Sequence, residues 1–271
     1  MAERRRQRGS TPRFTTLTPR SCGLPRLSGV PGDLTSEAVR QRYPDDGYTA
    51  FHAPRYVSLL HLLDRYVTAD TRLLDIGRSR LTDLIHERYD IPVDALGFVG
   101  NEPSPQGQNY WFDLNLAIHR HEWRTDLPTY DVIVMAEVIE HLRTPPQHVL
   151  AFLRKLLNPG GRLIIQTPNA VALHKRLEML AGRNPYEELR TQVDDPGHFR
   201  EYTRKEMCDM LTAQGYQIEL WYAADYLDYR YVHHVDHGQV TSMSRTGSVL
   251  NWIYRVTPPR LRPGQTVVAR T

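Results

Sequence analysis

Cysteine is almost absent: Cys22 and Cys208 stand far apart among 271 residues. That excludes a disulfide framework and a cysteine-built metal site, and a reducing cytoplasm is the expected setting. No apolar run approaches the roughly 20 residues of a membrane span, so a soluble chain with no membrane partner is expected. A dominant charge is also missing. The 34 basic and 31 acidic residues leave a net +3, and the N-terminus inflates even that. The folded part therefore advertises no channel for nucleic acid. Lysine is scarce beside arginine, a bias we read as coding rather than chemistry. Acids are nearly missing at the start, where Glu3 is almost alone before Asp33 among Arg, Ser, Thr, Pro and Gly. Such a segment cannot bury enough apolar surface to offset its ordering entropy, so residues 1–33 read as a disordered basic tail.

The rest has ordinary globular composition, 40% hydrophobic and 24% charged, and residues 34–271 suffice for one α/β domain. Its organising stretch runs from Tyr130 to Asn169. Asp131 to Met135 is apolar and β-branched, which predicts a strand buried on both faces. A helix follows with Val149, Leu150, Leu153, Leu156 and Leu157 along one stripe, and Asn158-Pro159-Gly160-Gly161 is expected to end it. Leu163 to Gln166 predicts a second buried strand. Strand, crossover helix, strand is a unit of parallel sheet. Ligands bind beyond the carboxyl ends of such strands, where Glu137, Glu140, His141 and Asn169 fall. The spacing i, i+3, i+4 predicts that Glu137, Glu140 and His141 share a helical face, their acids complementing the dipole of a first turn.

Arg72 to Gly77 predicts a first strand and turn, Leu81 to Tyr89 its helix, Val93 to Val99 a second strand and Tyr110 to Phe112 a third. Upstream, Thr35 to Phe51 predicts a short helix and turn, with Pro54 opening a helix to about Val67. Downstream, Ala170 to Ala181 is periodic, and Thr203 with Glu206 forms a capping box for a helix to Gln214. Gln217 to Tyr222 and Gln265 to Ala269 predict two more strands, with a short helix or turn over Val249 to Tyr254 between them.

Asp75-Ile76-Gly77, EVIEHL from Glu137, LNPGG from Leu157 and HFREYT from His198, in this order, resemble class I S-adenosylmethionine-dependent methyltransferases, of a small-molecule O-methyltransferase type. The resemblance runs from about Tyr43 to the C-terminus. It implies a doubly wound, mostly parallel seven-stranded sheet with an antiparallel last strand. N-terminal lid helices (34–68) and a C-terminal insert (225–263) would flank it. It implies cofactor contacts at Asp75, Ile76, Gly77 and Arg78, ribose binding by Glu102, adenine contacts at Asp113 and Leu114, and a methionine-side contact at Glu137. Arg78-Ser79-Arg80 departs from the usual glycine-rich turn.

The catalytic candidates are Glu140, His141 and His198. In two metal-dependent branches of the resemblance a similar EVxEH segment pairs with a later histidine. A metal set of Glu137, Glu140, His141 and His198 follows, suited to Mn, Fe or Zn and less to Mg. A metal-free base at His141 or His198 and purely structural roles are the alternatives. No Asn/Asp-Pro-Pro-aromatic motif follows the fourth strand, which the resemblance takes as favouring oxygen over a base's amino group. The expected acceptor is a hydroxyl of a sugar, glycosylated or secondary metabolite. An RNA 3′-end 2′-O-methyltransferase and a catalytically silent binding module stand behind it. Tyr48, His52 and Arg55 are candidates for substrate or carboxylate contact. His233 to His237 and Tyr222, Tyr226, Tyr229 and Tyr231 lie in the late, variable part.

Overall fold

The computed structural model describes residues 34–98, 104–191, 197–234 and 244–271. Seven strands form one sheet: β1 (Leu73–Ile76), β2 (Val93–Gly97), β3 (Asn109–Trp111), β4 (Tyr130–Ala136), β5 (Leu157–Pro168), β6 (Gln217–Ala224) and β7 (Gly264–Arg270). Their order is β3-β2-β1-β4-β5-β7-β6. The first five pair in parallel, and β7 runs antiparallel between β5 and β6. The doubly wound sheet with its antiparallel last strand is therefore present.

Alternation along β4 divides the core. Ile133 and Met135 pack on one face with α4 (Pro146–Lys155) and α6 (Arg204–Ala213), among them Val149, Leu153, Met207 and Leu211. Val132 and Val134 pack on the other with α2 (Gly47–Leu63) and α3 (Arg80–Tyr89), through Leu59, Leu63 and Ile85. Both faces are dry, which is why the strand carries no polar residue there. The remaining helices are α1 (Ser36–Arg42), α5 (Leu173–Leu180) and α7 (Arg245–Val256).

Three sequence expectations need correction. Pro54 does not open α2 but lies inside it, as its eighth residue. A proline there leaves the carbonyl four residues back without its helical donor, and Arg40 Nε donates to that Ala50 oxygen at 3.2 Å. Asn158 to Gly161 does not simply close a helix: α4 stops at Lys155 and β5 already runs through these residues, Leu157 pairing with Tyr130. Glu137 to His141 is not a first helical turn either. β4 reaches Ala136, one 3-10 turn spans Ile139–His141, and α4 begins only at Pro146. In smaller adjustments, the turn over Val249 to Tyr254 grows into the twelve-residue α7, and β3 stops at Trp111, with Phe112 in the core.

A carboxylate helps to fasten the chain after β6 to α1 and α2. Asp228, 4% exposed, accepts from Arg40 Nη2 at 2.6 Å, Arg230 Nη2 at 2.6 Å and Asn251 Nδ2 at 2.7 Å. Its own N–H donates to the Phe51 carbonyl. The late tyrosines serve this packing: Tyr229 and Tyr231 meet Phe51, and buried Tyr226 bonds Thr266. The side chains of His233 to His237 lie outside the described residues.

Candidate functional site

β1 and β4 are neighbours, with Ile76 opposite Met135, so the turns after both strands lie side by side at one edge of the sheet, close enough that a Cβ on Gly77 would reach van der Waals contact with Val138. Gly77 takes φ +85°, and its N–H donates to the Leu96 carbonyl. A side chain there would be strained, and its Cβ would touch Val138 at 3.6 Å. This backbone can come close to a ligand. The atypical Arg-Ser-Arg turn has its own logic. Ser79 caps α3 in a capping box with Thr82, and Arg78 pairs with Asp83 through Nη2 at 2.6 Å. Arg78 thus holds its own helix.

Asp75 is 1% exposed and accepts the Thr82 hydroxyl at 2.6 Å. Burial outweighs that bond and the charges of Arg78 and Arg55, and pushes the carboxyl up to about 7. The sign of the linkage follows. Between the unfolded value of 3.8 and about 7 the folded state keeps a proton that the unfolded chain has lost, so stability falls as pH rises through that window. Asp75→Asn should remove this dependence, which is on the order of 4 kcal/mol across the window. Denaturant unfolding of both proteins at pH 5 and pH 8 checks it; parallel pH dependence in the two would refute it.

At the end of β4, Glu137 takes φ +55°, a left-handed conformation rare for glutamate, and its N–H donates to the Gln166 carbonyl at 2.8 Å. Such a backbone costs about 1–3 kcal/mol. It swings the chain out of the sheet and delivers Glu140 beneath the segment that carries Phe199 and Arg200. Glu140 is fully buried. Its Oε2 accepts the Thr167 hydroxyl at 2.8 Å, and its carbonyl accepts the N–H groups of Phe199 and Arg200. Its Oε1 has no partner. Burial, reinforced by the Glu137 charge, raises the Glu140 carboxyl well above the ordinary range.

The two histidines meet over it with ring centroids 4.7 Å apart. His141 Nδ1 lies 3.0 Å from the Gly197 carbonyl. A carbonyl only accepts, so Nδ1 carries the hydrogen and neutral Nε2 offers a lone pair. His198 Nδ1 lies 3.4 Å from Glu201 Oε1, which leaves its Nε2 in the same state. Burial, then the neighbouring His141, lowers His198 to about 4. Donor atoms of Glu140, His141 and His198 lie within 4.8 Å of one another. This set fits a divalent ion: a buried oxygen lacks a partner, and both imidazoles are oriented through Nδ1, as metal ligands commonly are. Glu137 is not among them, so the four-ligand expectation reduces to three. The charges acting on Glu137 are Arg55 and Lys175, with burial raising its carboxyl against both.

Arg55 is 4% exposed, its Nε has no partner, and it sits over the Tyr56 ring. Burial disfavours its charge, but Glu137, Tyr48 and Tyr56 outweigh this. His52 also has an unpartnered Nδ1, beneath Tyr48. Two participants have no signal in the sequence. Lys175, 6% exposed, is lowered to about 8 by burial, and it pairs with Glu201. Lys175 falls off the apolar stripe of α5, where nothing marks it as inward.

Other candidates have local duties. Asp113 caps a 3-10 turn, accepting from the N–H and side-chain amide of Asn115. Leu114 and Ile76 lie in the core. Asn169 bonds the carbonyls of Arg260 and Arg262 and so ties down the insert. Glu102 lies outside the described residues.

Residues 51–220 match a family described as a methyltransferase domain. The chain belongs to that methyltransferase family. No curated protein matches it. Solved structures agree on the fold. A methyltransferase from Archaeoglobus fulgidus, described as SAM-dependent, is 13% identical over 87% of this chain and 99% of its own, with a TM-score of 0.50. A Haloferax volcanii complex of the Trm112 methyltransferase activator with a methyltransferase gives 12% over 87% and 92%, at 0.51. The cyclase SpnF gives 16% over 90% and 99%, at 0.50. At such identities the likeness carries the fold alone, and SpnF shows that one fold hosts different chemistries. Methyl transfer from S-adenosylmethionine is the methyltransferase's activity class. Among the described residues no helix is long and apolar enough to cross a membrane.

Proposed function

We propose that the methyltransferase acts on a hydroxyl of a small molecule, a sugar, glycosylated or secondary metabolite, at the crevice between Glu140, His141 and His198. The observation that carries this reading is the unpartnered Oε1 of buried Glu140 beside two imidazoles with free Nε2 lone pairs. A hydroxyl entering there can donate its proton to one imidazole nitrogen, leaving the oxygen free to attack. His198 is neutral at pH 7 and ready to accept it. Glu140 is held by Thr167, and Glu201 with Lys175 holds His198.

Bound S-adenosylmethionine supplies a methyl group already activated on a sulfonium, so the protein's task is alignment. Gly77 and Asp75 lie under the cofactor in this reading, and Arg55 receives a carboxylate. The three side chains could instead hold a divalent ion, which would take up both Nε2 lone pairs and would itself lower the cost of deprotonating the hydroxyl, in place of an imidazole base.

Calorimetry with S-adenosylhomocysteine tests the scheme. Binding is expected, together with tighter association in the presence of Mn if the three side chains hold a metal. Arg55→Met should weaken S-adenosylhomocysteine by about tenfold or more, the scale of a lost charge-assisted contact. It should leave methylthioadenosine, which has no carboxylate, unchanged. A wild-type chain that binds neither compound would overturn the cofactor assignment.

A further inference from the structure

The outward face of α7 has no role in the site just described. Arg245, Val249, Trp252 and Val256 recur at helical spacing along it. The three apolar side chains are 57%, 63% and 62% exposed. The helix cannot roll to hide them. Gly247 on its inner face lies so close to the Tyr229 carbonyl that a Cβ would approach it to 2.1 Å. Tyr254 and Asn251 are also fixed, to His174 and Asp228. The His174 contact brings α5 alongside, with Leu177 56% and Leu180 84% exposed. A monomer rarely leaves such a stripe bare without a use for it.

The charge on α7 itself and in the chain after it has one sign, while Glu178 and Asp225 approach its inner side at Tyr254. After Asp236 the sequence contains no Asp or Glu. Arg245, Arg255 and Arg260 are exposed, and among the described residues they form no ion pair. The face also has a defined place relative to the crevice. α7 leads into β7, whose Gly264 pairs with Pro168, next to the Thr167 that bonds Glu140.

We propose that this face docks on an anionic lipid surface, with Val249, Trp252 and Val256 in the headgroup boundary and the arginines on acidic headgroups. Basic residues flanking an apolar stripe with a tryptophan are what an interfacial helix requires. This departs from the membrane-free expectation, which rested on the lack of a spanning run. A second copy fits worse, because a two-fold contact would set these arginines against their own equivalents. The chain's first 33 residues fit worse as well, being basic themselves. Phosphates of a nucleic acid would leave the valines unused.

Cosedimentation of the full chain with phosphatidylglycerol and with pure phosphatidylcholine vesicles tests the proposal. Partition onto the anionic vesicles should exceed that onto phosphatidylcholine by about tenfold, and should fall with salt. Trp252→Glu with Val256→Glu should reduce it by about tenfold, as should Arg245→Glu with Arg255→Glu. The replaced side chains are exposed, so a circular dichroism melt should stay unchanged. Absence of pelleting would overturn the proposal. So would binding that survives the Trp252/Val256 variant, which would place it on charge elsewhere, including residues 1–33. A dimer seen by light scattering and lost in that variant would assign the face to a second copy instead. No cofactor takes part, so either result leaves the methyl-transfer reading where it stood.

Discussion

His198→Ala should lower kcat/KM for methyl transfer to a hydroxyl acceptor by about 10²–10⁴-fold, the usual worth of a positioned proton acceptor. The reason is geometric before it is electrostatic. Its Nδ1 is engaged by Glu201, its ring stands 4.7 Å from that of His141, and one of its nitrogens groups with a Glu140 carboxylate oxygen and a His141 nitrogen within 4.8 Å. Burial and the adjacent imidazole lower it to about 4, so its lone pair is available at all pH values above that. The acid limb of kcat/KM against pH should accordingly lie near 4 and not near the ordinary histidine value. Activity that survives the substitution would remove His198 from the chemistry. An acid limb near 6.5 would contradict the environment described for it. Glu140→Gln separates the roles: it spares the bond from Thr167 in one orientation but withdraws the negative charge a cation needs. It should abolish any Mn enhancement while leaving S-adenosylhomocysteine binding intact.

The second large effect concerns stability. Asp228→Ala should destabilise the protein by about 3–5 kcal/mol, because it takes the nearest countercharge from a largely buried guanidinium that keeps only the Ala50 carbonyl and the exposed Glu37 at 3.6 Å. Arg40 is only 10% exposed at its side chain, and Asp228 is its 2.6 Å partner. Arg230, 38% exposed, can turn to water and adds little. For a domain of this size the melting temperature should fall by about 10 °C. Hydrogen exchange should show the loss spreading through both α1 and the insert, since one carboxylate joins them. An unchanged melt with unchanged protection would show that the joint bears no weight.

Much of the fold was readable because hydrophobic runs of the right length report strands directly. Val132 to Met135 and Leu163 to Ile165 are buried on both faces and look it. The site was readable less evenly. The structure brings Glu140, His141 and His198 together, but the reason they meet is not legible in the sequence. The i, i+3, i+4 spacing that suggests a helical face is shared by a single 3-10 turn. The left-handed backbone at Glu137 that makes that turn possible leaves no mark in a glutamate's identity. Glu137, which the resemblance placed among the metal ligands, stands outside the group that Glu140, His141 and His198 form. Pro54 misled for a related reason. A proline inside a helix needs a substitute donor for the carbonyl it abandons, and Arg40 supplies it from another helix. Lys175 and Glu201 meet across 26 positions of chain, and no local pattern announces a pair like that.

β7 occupies an interior place in the sheet, yet it follows both strands it joins. While synthesis proceeds, β5 and β6 each wait with a row of unsatisfied amides and carbonyls until Gly264 to Arg270 emerge to fill the gap between them. The rim of the crevice at Thr167 and Pro168 is part of that late seam. A ribosome-bound chain halted before Gly264 therefore presents two sticky borders to its surroundings, and closing them is the step in which the sheet becomes whole.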